Sequence, residues 1–149
     1  MSEEYLVRSF MTAPAKSIAR DAHLLDAALT LRSTGFRHLP IVDGGRLVGI
    51  ITDRDVQRLA PSLLSNITQD EYNAVFENTP LERVMTRDPL TVTPTTPLHE
   101  AAAILHGRKL GCLPVVEDGR LVGILTVTDL LGVLLRFLGA AQESPVERS

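Results

Sequence analysis

An internal repeat limits the folds open to this sequence more than any other feature does. The dipeptide Met-Thr stands at positions 11 and 85, which lie 74 positions apart, and the same offset recurs without a gap through each copy. It relates residues 45–50 to residues 119–124, which read Gly-Arg-Leu-Val-Gly-Ile in both places. Self-similarity at one fixed offset indicates two tandem copies of one structural unit.

Each copy has the apolar pattern of a βαββα unit. A short β-like run, residues 16–19 in the first copy and 90–93 in the second, leads into a helical pattern with apolar residues three and four positions apart. Two more apolar runs follow, and Asp43-Gly44 joins them in the first copy with the residue types of a tight hairpin turn. Residues 117–119 take this place in the second copy. The predicted fold class is α/β (α+β), built from two βαββα units.

Helix-start signals mark the boundaries of these units. In the second copy Thr96 is suited to cap a helix whose first position is Pro97. The segment between the copies contains two Thr-x-x-Glu capping boxes, Thr68 with Glu71 and Thr79 with Glu82. We therefore predict a first unit at 7–60, a linker with a short helix at 61–80, a second unit at 81–138 and a flexible tail at 139–149.

Composition restricts the function classes. The chain has 149 residues, a formal charge of −3 and a sequence pI near 5.8, so we expect no broad basic surface for nucleic acid. Two such units leave no room for a separate catalytic domain. A single cysteine, Cys112, cannot form an intrachain disulfide or a multi-cysteine metal site, and is expected to be a small buried side chain.

The segments most relevant to targeting are the N-terminus and one apolar run. The N-terminus carries acidic residues where a secretory signal needs a basic start, so we expect a cytoplasmic protein. The apolar run at 130–138 contains Arg136 and has about half of the roughly 20 residues that a membrane-spanning helix needs. We expect a core or interface helix there and no membrane insertion.

The motifs of each copy resemble those of one family. Met-Thr followed closely by Pro lies near the start, as Met-Thr-x-Pro in the first copy and Met-Thr-x-x-Pro in the second. Leu-Pro-Ile-Val or Leu-Pro-Val-Val and then Leu-Val-Gly-Ile flank the hairpin, and Gly-h-h-Thr-x-x-Asp (h, apolar) ends it. In this order and spacing they resemble the cystathionine β-synthase (CBS) domain pair, and more distantly the stand-alone bacterial pairs associated with acetoin utilisation. The resemblance implies a pseudo-twofold pair of units, adenosine ligands such as AMP, ADP, ATP or S-adenosylmethionine in clefts between them, and a homodimer.

The same resemblance assigns the polar residues after each hairpin. It implies that Thr52 and Thr126 bind near the ribose or phosphate, and that Asp55 and Asp129 accept hydrogen bonds from the ribose hydroxyls. Free amides at the helix start after Thr52 would also favour a phosphate. The alternative is that each Thr-x-x-Asp only caps a helix, because such boxes are commoner than nucleotide sites.

Cationic residues are concentrated in the first copy. Arg37 and His38 correspond to Gly111 and Cys112, and Arg54 corresponds to Thr128. Because arginine binds phosphate oxygens through a forked set of donors, we predict unequal sites, the first preferring a phosphorylated ligand. The alternative is that the arginines are solvated surface residues.

Adenine recognition must rely on aliphatic residues, since the chain has no Trp and its two Tyr lie outside both repeats. The resemblance places the backbone of Ser17-Ile18 and of Thr91-Val92 near the base. The prolines that follow the cationic pair and its counterpart, Pro40 and Pro114, complete the predicted nucleotide-binding set.

A ligand-sensing regulatory module is the function that these observations favour. The competing hypotheses are a constitutive dimerisation scaffold with degenerate sites and an autonomous enzyme, for which we recognise no catalytic residues. We predict no metal site, because His99 and His106 lie two helical turns apart without a spaced acid or thiol. The effector protein that would read the signal is unknown.

Overall fold

The computed structural model describes residues 5–60 and 66–143. These residues form two compact bodies. The first-repeat body consists of the described residues within 15–89 together with 119–121. The second-repeat body consists of 5–14, 90–118 and 122–143. The Met-Thr segment at the start of the first copy thus belongs to the body of the second copy, and Met85-Thr86 belongs to the body of the first.

The first-repeat body follows the predicted βαββα order and then adds the linker elements. In chain order it contains β1 (Ile18–Ala19), α1 (Leu24–Thr34), β2 (His38–Asp43), β3 (Arg46–Thr52), α2 (Asp53–Leu59), α3 (Gln69–Asn78), α4 (Leu81–Val84) and β4 (Thr86–Arg87). Strand β2 lies between parallel β1 and antiparallel β3, and β4 pairs with β3 on the other side. This arrangement brings His38 opposite Thr52.

The second-repeat body has the same order of elements, but its first strand is reduced to a single bridge. A 3₁₀ turn at Val7–Ser9 precedes α5 (Leu98–Arg108), β5 (Cys112–Glu117), β6 (Arg120–Thr126) and α6 (Val127–Glu143). The predicted strand at 90–93 is present only as a single parallel bridge between Val92 and Val115. Both bodies mix helices and strands in the βαββα order, which confirms the predicted fold class.

The two hydrophobic cores are built from the same positions of the repeat. Leu24 of α1, for example, corresponds to Leu98 of α5, and Leu39 of β2 corresponds to Leu113 of β5. The buried residues of the first core are Leu24, Ala27, Leu31, Leu39, Ile41, Ile51, Leu81 and Met85; those of the second are Val7, Val92, Leu98, Ala101, Leu105, Leu113, Val115 and Leu125. One apolar pattern therefore determines both cores.

The glycine in the middle of each second hairpin strand accommodates the Met-Thr segment. A Cβ atom on Gly49 would lie 2.5 Å from Sδ of Met85 and 2.9 Å from the carbonyl oxygen of Thr86. A Cβ atom on Gly123 would lie 2.7 Å from Sδ of Met11 in the same way. Only a residue without a side chain allows the segment to approach this closely.

The hairpin turn of the first copy lies one residue later than predicted. Gly44 and Gly45 both have positive φ, 59° and 86°, and they form the two-residue loop between Asp43 and Arg46. Asp118 and Gly119 do the same in the second copy. Asp43 is the last residue of β2 and not a loop residue, because this turn needs positive φ at both central positions.

Two of the predicted helix caps are wrong and one is present. Thr96 does not cap α5: the N-cap is Pro97, and the Thr96 hydroxyl accepts a hydrogen bond from the Thr93 amide at 3.0 Å. Pro97 is bridged to Leu6, which holds it outside the helix. The predicted box of Thr68 and Glu71 does open α3, with both reciprocal hydrogen bonds made at 2.8 and 3.1 Å.

The box predicted for Thr79 and Glu82 is also absent. Pro80, expected at the first helical position, is the N-cap of α4. The Thr79 hydroxyl donates to the carbonyl of Val75 in the preceding helix, and Glu82 forms an ion pair with Arg20 at 3.1 Å. These tertiary and neighbouring-helix partners replace the local cap.

Candidate ligand sites

The Thr-x-x-Asp motif of each repeat forms a complete capping box at the start of the helix that follows the hairpin. In the first repeat the Thr52 hydroxyl accepts a hydrogen bond from the Asp55 amide at 3.1 Å, and Oδ2 of Asp55 accepts one from the Thr52 amide at 3.0 Å. Thr126 and Asp129 make the same two bonds at 3.1 and 2.9 Å. Both motifs therefore cap their helices, and the caps leave part of each carboxylate available for other contacts.

The second carboxylate oxygen differs between the repeats. Oδ1 of Asp55 has one contact among the described residues, an ion pair at 3.9 Å with Arg58, whose side chain is exposed. Asp55 itself is 24% exposed. Such a long, solvated pair contributes little, so this oxygen can accept a hydrogen bond from another donor.

The cationic residues predicted for the first site lie at or beside the start of α2, the helix that carries this carboxylate. The backbone carbonyl of Arg37 accepts a hydrogen bond from the Asp53 amide at 2.9 Å, so Arg37 and His38 lie beside the start of α2. Arg37 and Arg54 are exposed, and neither makes an ion pair within the part of the chain that the structure describes. Their guanidinium groups can therefore bind an anion without first breaking an ion pair.

His38 is half-buried next to these charges. Burial lowers the pKa of His38 and the neighbouring Arg37 lowers it further, while Asp55 acts in the opposite direction. The imidazole is thus held towards its neutral form in this site. An anion bound beside it would reverse the effect and favour protonation.

The corresponding positions of the second repeat carry no cation. The Gly111 carbonyl accepts a hydrogen bond from the Val127 amide at 3.0 Å, the equivalent of the Arg37 contact. Cys112 is buried, as predicted, and burial raises the pKa of its thiol to about 12. Thr128, the counterpart of Arg54, is exposed. Among Gly111, Cys112, Thr128 and Asp129, only Asp129 carries a charge.

The residues predicted to approach the base lie on the first-strand side of each sheet. Ile18 is paired with Ile41 in the register of β1 and β2, one residue from buried Pro40, and Ser17 precedes it. In the second repeat the Val92 amide donates to the carbonyl of Pro114 at 3.1 Å. Thr91 is the counterpart of Ser17, and both are half-buried. Each repeat therefore has a short backbone segment beside a buried proline.

One residue at these sites was missed by sequence reasoning. The Thr12 hydroxyl donates to Oδ1 of Asp129 at 3.2 Å, across 117 positions of sequence. Thr12 belongs to the repeated Met-Thr dipeptide, which was the only signal available. Nothing in the spacing connects that dipeptide to a carboxylate so far along the chain.

Comparison with known proteins identifies the family. Residues 7–62 and 71–136 each match the family model of the CBS domain. The chain belongs to the CBS domain family. It is 32% identical over 135 residues to a CBS domain-containing protein of Dictyostelium discoideum, covering 89% of this chain and 93% of that protein. It spans about half or less of several other curated relatives, among them an inosine-5'-monophosphate dehydrogenase of Korarchaeum cryptofilum, of which it covers 23%.

Three solved CBS structures are similar over nearly the whole chain. A Vibrio cholerae protein named for acetoin utilisation is 33% identical, with a TM-score of 0.78 over 97% of this chain and 100% of that one. CBSX2 of Arabidopsis thaliana, solved with AMP, is 28% identical, with a TM-score of 0.77 over 89% and 98%. The CBS pair of protein MJ0100, solved with 5'-methylthioadenosine and S-adenosylmethionine, is 28% identical, with a TM-score of 0.73 over 91% and 99%.

Within residues 5–60 and 66–143, none of the helices has both the length and the apolar character that a membrane crossing requires. In the same residues, no three side chains of His, Cys, Asp or Glu come together as metal ligands.

Proposed function

We propose that this CBS pair is a ligand-sensing regulatory module that binds adenine nucleotides or a related adenosine compound, with AMP, ADP, ATP and S-adenosylmethionine as candidates. The observation that carries the proposal is the first-repeat carboxylate. Asp55 uses one oxygen to cap α2, and its other oxygen, whose contact among the described residues is the 3.9 Å pair with exposed Arg58, can accept from a hydroxyl donor. A carboxylate beside cationic side chains is complementary to a ribose that carries a phosphate.

In the first site we assign a role to each group by its chemistry. Asp55 accepts from the ribose hydroxyls, and Thr52 positions it through the reciprocal cap. Arg37 and Arg54 bind the phosphate, and His38 adds a charge when that anion raises its pKa. Ser17, Ile18 and Pro40 provide the aliphatic wall and backbone beside the base.

The second site has the same plan without the cations. Asp129 and Thr126 take the ribose positions, and Thr91, Val92 and Pro114 take the positions beside the base. Gly111, Cys112 and Thr128 offer no positive charge, so this site favours a ligand with less negative charge, such as S-adenosylmethionine or 5'-methylthioadenosine. The structures of related CBS pairs with AMP, and with the latter two compounds, support this range of ligands.

The proposal includes a homodimer formed through α6. This helix exposes six large apolar side chains, with Leu135 the most exposed at 69%. Beside it lies an apolar groove of ≈ 470 Å³ between α5 and α6, which Tyr5, Leu98, Val133 and Phe137 help to line. An apolar surface of this kind is commonly an interface in soluble proteins. A bound nucleotide that favoured one dimer arrangement would pass the signal to an effector protein.

A constitutive scaffold is the second candidate function. It is favoured by the completeness of both capping boxes, because Thr52, Asp55, Thr126 and Asp129 each have a structural role within the chain itself. A scaffold would keep the dimer and would bind no adenosine compound.

The assignment of the phosphate to the first site is tested by comparing AMP with adenosine in calorimetric titrations. Replacing Arg37 with Ala removes a charged hydrogen-bond donor, so we expect AMP to bind about tenfold more weakly, which corresponds to roughly 1.4 kcal/mol. Adenosine binding stays unchanged. Arg32→Ala, on the exposed face of α1, serves as the matched control. An equal loss for AMP and adenosine, or no loss, would contradict the assignment.

The dimer is tested separately by sedimentation equilibrium. Leu135→Glu places a charge in the α6 face and is expected to shift the protein towards monomer. Leu90→Glu replaces an apolar residue that is 42% exposed and lies outside that face, so it should not change the association. A dimer that resists Leu135→Glu would exclude this face as the interface.

A further inference from the structure

The carboxylate of Asp129 is more fully occupied than its counterpart in the first repeat. Its Oδ2 accepts from the Thr126 amide at 2.9 Å, and its Oδ1 accepts from the Thr12 hydroxyl at 3.2 Å. An ionised carboxylate only accepts hydrogen bonds, and its capacity is limited. The Thr12 hydroxyl therefore uses part of the capacity that a ribose hydroxyl would need.

The backbone holds Thr12 in place for this contact. The Thr12 amide donates to the Ile124 carbonyl at 2.9 Å, and the Ile124 amide donates to the Thr12 carbonyl at 3.0 Å. Met11 lies against Gly123 on the same strand. These contacts hold Thr12 against Ile124 of β6, and Ile124 lies two residues before Thr126, the capping threonine of α6.

The first repeat provides an internal comparison. Thr86 corresponds to Thr12 and is paired with Ile50 on β3, and Met85 lies against Gly49. The backbone arrangement is thus the same in both repeats. Nevertheless, within the described chain the Thr86 hydroxyl makes no hydrogen bond to Asp55, whose Oδ1 has only the 3.9 Å contact with Arg58. The difference between the two carboxylates therefore lies in this one side-chain bond.

We propose that Thr12 is a specificity-determining residue of the second site, where its hydroxyl competes with the ligand ribose for Oδ1 of Asp129. The Thr12 bond occupies one acceptor site of Oδ1, and a ribose hydroxyl that approaches along this direction must displace it, which weakens the second site relative to an Asp129 without this donor. The inference rests on the proposed function. Thr12 acts on the second site, although in sequence it lies at the start of the first copy.

The test removes the hydroxyl and keeps the shape of the side chain. Both proteins compared carry Asp55→Asn, which impairs the first site and retains an acceptor for the Thr52 amide. S-adenosylmethionine and AMP are titrated by calorimetry into the protein that keeps Thr12 and into the same protein with Thr12→Val. Losing a competing hydrogen bond is expected to lower Kd at the second site about 2- to 10-fold, because neutral donors contribute about 0.5–1.5 kcal/mol. Thr12→Ser keeps the hydroxyl and should match the parent protein.

The first repeat supplies a second control. Thr86→Val in an Asp129→Asn background should leave Kd at the first site unchanged, because Thr86 does not compete for Asp55. Valine suits a strand-like segment, and thermal unfolding of each variant verifies that it is folded.

The outcomes distinguish this inference from the proposed function. Weaker binding by Thr12→Val would mean that Thr12 contacts the ligand, and an unchanged Kd would mean that no competition exists; both overturn the inference. Absence of second-site binding in parent and variant also overturns it, while binding at the first site would leave the proposed function standing. If neither site binds any of these ligands, the proposed function fails.

Discussion

Replacing Asp55 with Ala removes a helix cap and, under the proposed function, a ribose acceptor, and these two losses appear in different measurements. The cap consists of the reciprocal bonds between Thr52 and Asp55 at 3.0 and 3.1 Å. Losing the carboxylate leaves the Thr52 amide without its partner, which costs about 1 kcal/mol of unfolding free energy. For a protein of this size, that lowers Tm by roughly 2–4 °C.

The ligand effect is larger and is measured as a difference. A ligand at 100 times its Kd stabilises the folded state by about 2.7 kcal/mol, which raises Tm by roughly 5–11 °C. We expect Asp55→Ala to begin a few degrees below the unsubstituted protein and to lose most of the rise that AMP causes at the first site. Scanning calorimetry of ligand-stripped protein, with and without AMP, measures both quantities.

A capping box outside the repeats provides the matched control. Glu71→Ala removes the equivalent bond at the start of α3, where Glu71 accepts from the Thr68 amide at 2.8 Å. It should lower Tm modestly and leave the AMP-dependent rise intact. If Asp55→Ala keeps the full rise, Asp55 is only a cap, and the assignment of the ribose site is refuted.

Two further predictions concern packing and pH. Gly49→Ala should lower the free energy of unfolding, measured with denaturant, by about 1–3 kcal/mol, because the new Cβ would lie 2.9 Å from a backbone oxygen that cannot move alone. Gly107→Ala on α5 has open space around the new Cβ and should be neutral or stabilising. Equal effects of the two substitutions would contradict this packing account. Burial and Arg37 lower the pKa of His38 in the folded protein, so the unfolded chain takes up a proton first and stability falls as the pH drops below about 6.5. His38→Gln should reduce this loss between pH 7.5 and 5.5, and an unchanged pH profile would show that His38 does not contribute to it.

Much of the fold could be predicted because the repeat states the same pattern twice. Positions such as Leu39 and Leu113 are both buried, and the helices, hairpins and Thr-x-x-Asp caps follow the local residue types that favour them. Local signals failed where another partner, in the preceding helix or distant in sequence, competes. Thr79 donates a hydrogen bond to the preceding helix, Glu82 pairs with Arg20, and Pro97 is bridged to Leu6. None of these residues therefore takes the helix-start role that the local sequence predicts.

The candidate sites likewise combine features that the local sequence predicts with features that depend on distant contacts. The order of Thr52 and Asp55 relative to their strand is a local property, and both residues lie where the sequence suggested. The free oxygen of Asp55 and the occupied oxygen of Asp129 depend on contacts that the motif does not encode. Thr12 reaches Asp129 only because the chain segment at the start of the first copy packs on β6 of the second, which no spacing in the sequence predicts.

Calorimetric titration of the purified protein, stripped of carried-over ligand, with AMP, ADP, ATP and S-adenosylmethionine in turn tests the central claim most directly. We predict saturable binding of at least one of them, with the phosphorylated compounds sensitive to Asp55→Ala. No heat with any of the four, together with an unchanged Tm at millimolar ligand, would contradict the sensor and favour the scaffold.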